Sequence, residues 1–378
     1  MTNTVIPVLS ALVAAAVVIA ATPLFARLAR AVGAVDRPDE RRVHRVVTPR
    51  LGGLAILLGF LVPALFFLPS DSASRALVAG AVGIALLGAV DDIWGMSPAV
   101  KLLGQAACAA VPVSAGLTID HLTLPFLGVF DLGVAQYPLS VLWIVALVNM
   151  IIFTDGLDGL AAGVAGISAG TFALLAASLD RADPAILAAA LAGACAGFLY
   201  FNFNPARIFM GDSGSMLLGF VLAGVAISGV MKSAAAIALI APLLILAIPI
   251  LDTSFVVMKR IKYRLPVYAA DRSHFHHRFL SIGWSQRRTV LAVYAWCALM
   301  GLIAVAIRFV PYTDGSGDYQ LAGTLALLGL GAVALLAAVY LIYVLEILKW
   351  GRTPVVQIVR QRGLERAQAK AASAADGR

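Results

Sequence analysis

RALVAGAVGIALLGAVDDIWGMSPAVKLLGQAACAA, residues 75–110, holds the pattern that decides the fold. An apolar run ends in Asp91-Asp92, and a second apolar run follows. Lys101 and Gln105 lie near the start of that second run. Residues four apart share one helix face, so lysine and amide point the same way. Two apolar helices joined by an acidic turn suit a membrane. Carboxylates at a helix edge there are costly and mark function by default.

The pattern repeats along the chain. Of 378 residues, 61% are hydrophobic and 13% charged, which excludes an ordinary soluble domain. About eleven apolar runs are expected to span a membrane: 5–29, 51–68, 75–90, 100–115, 137–153, 161–179, 185–201, 214–230, 233–258, 289–308 and 321–345. The expected fold is therefore an all-α polytopic membrane protein. The loop 30–50 carries Arg30, Arg37, Arg41, Arg42, Arg45 and Arg50. With that loop in the cytoplasm, only Arg75, Arg181, Lys232 and Arg308 of the 28 lysines and arginines face outward. This asymmetry predicts the N-terminus outside and the C-terminus inside. It also assigns the net charge of +8 to membrane orientation rather than to nucleic acid.

Residues 1–349 read as one membrane domain and 350–378 as a basic cytoplasmic tail. Alternating apolar and turn-forming residues over Thr118–Tyr137 predict a small β-hairpin on the outer, periplasmic surface. Cys108, Cys195 and Cys297 all fall in apolar runs and give neither a disulfide framework nor a zinc pattern.

The remaining acids fall on the same side as Asp91-Asp92. Asp155 and Asp158 lie three apart, each followed by glycine, shortly after Asn149. Asp212 stands between two glycines where a helix begins, downstream of Asn202 and Arg207. Asp252 lies near the end of its run. Taken singly, Asp212 also suits a helix N-cap, Asp155 and Asp158 a glycine-rich turn, and Asp252 a carboxylate snorkelling to the interface. Their convergence on one face points instead to a site for a metal and phosphate. His274, His276 and His277 sit between Arg272 and Arg278. Arginines repel a dication and pair with phosphate, so this loop reads as a diphosphate clamp. The Pro49-Arg50-Leu51-Gly52-Gly53 turn offers a further place for an anion.

Six segments in this order carry a specific resemblance: DRPDERRVHRVVTPRLGG, GAVDDIWGMSPAVKLLGQ, NMIIFTDGLDGLAAG, FNFNPARIFMGDSGS, PILDTSFV and DRSHFHHRFLSIGWSQRRTV. From about Asp36 to Arg288 the chain resembles the polyprenyl-phosphate N-acetylhexosamine-1-phosphate transferases. The PRLGG turn and HFHHR are similar to the WecA/TagO branch; the MraY branch is the alternative. The resemblance implies transfer of a HexNAc-1-phosphate, foremost GlcNAc-1-phosphate, from a UDP-sugar to undecaprenyl phosphate. UMP would leave, and Mg²⁺, or Mn²⁺ in its place, would be required.

By that likeness Asp212 is a metal ligand, Asp91 and Asp92 are catalytic, and Asp155 and Asp158 form the nucleotide–metal site. His274, His276 and His277 contact the diphosphate. Lys101, Asn149, Asn202, Arg50, Arg272 and Arg278 bind substrate. The setting implied is the bacterial inner membrane with the site facing the cytoplasm, and a homodimer is compatible with it. Ile152 stands where the family usually has a second asparagine. A transporter is the rival class. Polar groups near the midplane, which a transport path needs, are missing from these runs.

Overall fold

The computed structural model describes residues 2–36, 47–68, 72–124, 128–231, 237–262, 278–280, 282–310 and 320–344. The helices are α1 (Thr2–Ala31), α2 (Gly52–Phe67), α3 (Ser72–Trp94), α4 (Pro98–Ser114), α5 (Gln136–Thr154) and α6 (Leu160–Ser178). They continue as α7 (Ala182–Asn202), α8 (Gly211–Val225), α9 (Ile237–Ile245), α10 (Ala247–Lys262), α11 (Gln286–Phe309) and α12 (Leu321–Val344). Among the described residues, seven helices are long and apolar enough to cross a membrane. The protein is a multi-pass, predominantly helical membrane protein. Leu65, Phe66 and Leu103 each expose about three-quarters of their surface, which costs little when lipid rather than water surrounds them.

The chain divides into two compact units, Met1–Ala334 and Leu335–Arg378. In the second, residues 335–344 are helix, and the expected division at 349–350 lies outside the described residues. In the first, α8 is the buried axis. Its sequence is small or apolar all round, as a helix packed on every side requires. Helices α2, α3, α5, α6 and α7 all pack on it. Past Val225 it continues as one π-helical stretch, Ala226–Met231.

Two antiparallel strand pairs complete the first unit. β1 (Val35–Asp36) pairs with β2 (Thr48–Pro49), and β3 (His121–Leu124) with β4 (Gly128–Asp131). The second pair occupies the segment whose alternation predicts a hairpin.

One expected span differs. The run 233–258 is not one helix but breaks at Leu246 between α9 and α10. Pro249 explains the break: it offers no N–H to the Ile245 carbonyl, and its ring crowds that oxygen. The freed carbonyl takes the Ser168 hydroxyl of α6 at 3.1 Å instead. A bond lost within one helix thereby ties two helices together.

Candidate active site

The acidic turn after α3 is built by local rules. Gly95 takes φ +72°, a conformation glycine adopts at no steric cost, and reverses the chain. Ser97 caps α4, its hydroxyl accepting the Val100 N–H at 3.4 Å, and Pro98 opens the helix. This starts α4 so that Lys101 faces back toward α3. Its Nζ donates to Asp91 Oδ2 at 2.7 Å and to Asp212 Oδ2 at 2.6 Å. Two carboxylates from distant parts of the chain, Asp91 and Asp212, thus share one ammonium group.

Asp92 faces the other way. Its carboxylate is fully buried and accepts the backbone N–H groups of Asp212, at 2.9 Å, and Ser213, at 3.1 Å. It fills the N-terminus of α8, where free N–H groups and the helix dipole both favour an anion. The approach is close: a Cβ on Gly88 would lie 2.5 Å from the backbone of Asp212 and Ser213. The PRLGG turn docks on the same loop. Phe209 N–H donates to the Pro49 carbonyl at 2.8 Å, and Gly53 N–H to the Met210 carbonyl at 2.8 Å. Arg50 thereby stands 3.6 Å from Asp92.

The two aspartates of DGLDG part company. Asp155 caps the end of α5 beside the other acids. Burial, then the charge of Asp212, push its carboxyl from the ordinary 3.8 up to about 7. Asp92 and Asp158 add to the push, and Arg50 opposes it. Asp158 instead holds the loop 203–208, its Oδ2 accepting from Asn204 Nδ2 at 2.9 Å and Ala206 N–H at 3.0 Å. Asn204 also donates to Gln286 Oε1 at 2.8 Å, and Arg287 Nε donates to the Asn204 carbonyl at 3.1 Å. Asn202 is buried and spends both ends of its amide on backbone. Its Oδ1 accepts from Gly159 N–H at 3.0 Å, and its Nδ2 donates to the Ile208 carbonyl at 2.9 Å. Tyr294 of α11 donates its hydroxyl to the Gly159 carbonyl.

Beside the carboxylates, Asn149 Nδ2 donates to Gln105 Oε1 at 2.7 Å and to the Val145 carbonyl at 2.8 Å. The seam between α4 and α5 then opens into an apolar groove of about 540 Å³, lined by Ala106, Ala110, Val113, Val141, Leu142 and Val145 among others.

Known proteins share these features. The profile of glycosyl transferase family 4 matches residues 74–230. A Bacillus subtilis (strain 168) protein named as a probable undecaprenyl-phosphate N-acetylglucosaminyl 1-phosphate transferase is 40% identical, over 76% of this chain and 81% of its own. The decaprenyl-phosphate N-acetylglucosaminephosphotransferase of Mycobacterium leprae (strain TN) is 37% identical over 85% and 88%. The chain belongs to this family.

A phospho-N-acetylmuramoyl-pentapeptide-transferase of Moorella thermoacetica is also similar, 35% identical over 79% of this chain and 97% of its own. The family 4 match spans α3 to α8 and takes in Asp91, Asp92, Lys101, Asn149, Asp155, Asp158, Asn202 and Asp212. Arg50 reaches the site from before that stretch, and Gln286, Arg287 and Tyr294 from after it.

The structure brings Asp91, Lys101, Asp212 and Asp155 together, with Arg50 behind them. Asp92, Asp158 and Asn202 are held by the protein's own backbone and side chains. Arg272, His274, His276 and His277 lie outside the described residues, and Arg278 stacks over Phe255 at 5.0 Å. Ile152 packs, partly buried, against the apolar core. Among the described residues, no group of three acidic, histidine or cysteine side chains forms a ready-made cation nest. Asn204, Gln286 and Tyr294 are the participants that sequence reading missed. Asn204 stood in view within FNFNP; Tyr294 has no local signal at all.

Proposed function

We propose that this family 4 protein transfers GlcNAc-1-phosphate from UDP-GlcNAc to undecaprenyl phosphate and releases UMP. The observation that carries the reading is the Lys101 ammonium, fixed between Asp91 and Asp212 near the start of α4, the helix that from Ala106 onward lines an apolar groove. A cation and an apolar groove on one helix suit a phosphate on an isoprenoid chain. The bacterial relatives' printed names supply the sugar and the acceptor.

A phosphate monoester has a second pKa near 6 and is mostly dianionic at pH 7. Its oxygen attacks the β-phosphorus, the bond from that phosphorus to the bridging oxygen breaks, and UMP takes the electron pair. No base is needed for this step. Asp91, bound to Lys101, serves to aim the lysine, which offsets charge on the phosphates. Arg50 and the loop Arg272–Arg278 add positive charge.

The acids fit Mg²⁺. All are hard oxygen donors, and the push that Asp212, Asp92 and Asp158 exert on Asp155 is one a dication would relieve. Mg²⁺ is commonly held by one or two carboxylates plus substrate phosphates, so Asp212 and Asp155 suffice without a finished protein cage. When bound, the ion withdraws charge from the diphosphate.

The basic residues support a chain of eleven spans in the bacterial inner membrane, N-terminus out, C-terminus in, with the site facing the cytoplasm. Cytoplasmic labelling of a cysteine at Ser273 in a Cys-free background is expected; periplasmic labelling defeats this orientation.

The activity test measures UMP release by purified protein given undecaprenyl phosphate and UDP-GlcNAc, UDP-GalNAc or UDP-MurNAc-pentapeptide, with and without Mg²⁺. Release is expected with UDP-GlcNAc and Mg²⁺. Release with the pentapeptide alone would favour the reading that the Moorella relative suggests.

A further inference from the structure

Gln105 is fully buried, yet among the described residues its Nε2 has no hydrogen-bond partner. The orientation of its amide is fixed by its neighbour. Asn149 must turn its nitrogen to the Val145 carbonyl, so the same nitrogen faces Gln105, which must answer with oxygen. Two N–H donors of Gln105 are left without an acceptor. Leaving buried donors unmatched costs free energy.

The position suggests what completes them. Gln105 lies on the Lys101 face of α4, one helical turn along from Lys101, whose ammonium is held by Asp91 and Asp212. A ligand reaching Gln105 must bring an acceptor oxygen, and the lysine favours one with negative charge. We infer that Gln105 is a further substrate-contact residue that donates its Nε2 hydrogens to a phosphate oxygen at the Lys101 cluster. Two sources carry that chemistry, the lipid phosphate and the nucleotide-sugar diphosphate. The seam favours the lipid. Ala106 follows Gln105, Val145 lies one turn beyond Asn149, and both line the apolar groove. Head and tail of one amphipathic ligand would then lie along a single α4–α5 track.

The inference rests on the transferase reading, and its test separates the two. Gln105→Leu keeps the volume and removes the donors. In Mg²⁺-containing assays the KM for undecaprenyl phosphate is expected to rise about tenfold, equal to about 1.4 kcal/mol, with the KM for UDP-GlcNAc unchanged. Its Tm should stay near the wild-type value, since the unmatched donors go together with the Oε1 that accepts from Asn149. A rise confined to UDP-GlcNAc keeps the phosphate contact and assigns it to the diphosphate. Wild-type KM values for both substrates overturn the inference and leave Gln105 a packing amide.

A binding arm is independent of turnover. Undecaprenyl phosphate should raise the wild-type Tm more than undecaprenol does, and Gln105→Leu should lose that difference. The same loss without any UMP release from the wild type would keep the contact and defeat the transferase reading. An undiminished difference in Gln105→Leu overturns the lipid contact.

Discussion

Asp155 and Asp158 are three residues apart in one turn and live under opposite conditions. Asp158 has two donors of its own, Asn204 and Ala206, and serves as a pillar for the neighbouring loop. Asp155 is crowded by carboxylates, and the charge of Arg50 eases it. A satisfied acid stabilises structure; a crowded acid stores an affinity for cations. Asp92 and Asp91 differ in partner instead: the first plugs the N-terminus of α8, and the second shares Lys101 with Asp212.

The largest expected effect tests the crowded side. Asp212→Asn removes one of the two carboxylates that fix Lys101 and a proposed Mg²⁺ ligand. Turnover should fall by about 10²–10³, the usual scale for losing a preorganised charge at a reacting centre. The Tm should change little. Near wild-type turnover at low Mg²⁺ would reduce Asp212 to a helix-start residue.

The next pair breaks the comparison directly. Asp158→Ala leaves the part-buried Ala206 N–H without its acceptor, a loss of about 1 kcal/mol. Its Tm should drop. Asp155→Asn should do the reverse. Between 3.8 and about 7 the folded protein binds a proton that the unfolded chain has lost. Wild-type stability without divalent cations therefore falls as pH rises through that window. Asparagine carries no such burden, so the Tm difference, variant minus wild type, should grow from pH 5 to pH 8. Parallel pH profiles for Asp155→Asn and wild type would erase the distinction.

The smallest effect concerns Ile152. Its place against the core predicts that Ile152→Asn lowers the Tm without tightening UDP-sugar binding. A lower KM for the UDP-sugar at unchanged Tm would put position 152 in the pocket.

Much of this molecule was legible from residue order. Apolar runs announced the helices, because lipid selects composition over some 20 residues at a time. The acidic turns announced the site, because such groups are rare at membrane depth. Gly95, Ser97 and Pro98 form a turn that sequence reading passed over, although caps act within a few residues.

Other features needed distance. Sequence assigned Asp91 and Asp92 together, yet only packing against α8 shows one holding a lysine and the other a helix end. The break at Leu246 could be suspected from Pro249, but Ser168, 77 residues away, is what makes it tolerable. Tyr294 reaches Gly159 across 135 residues, and no periodicity encodes that bond.

The sequence by itself determined a helical membrane protein of family 4 with a polar site at one end of its spans. Which acid is crowded and which is satisfied was decided by the tertiary structure. Hydrogen-bond donors and charges act over a few ångströms in space, whatever their separation along the chain.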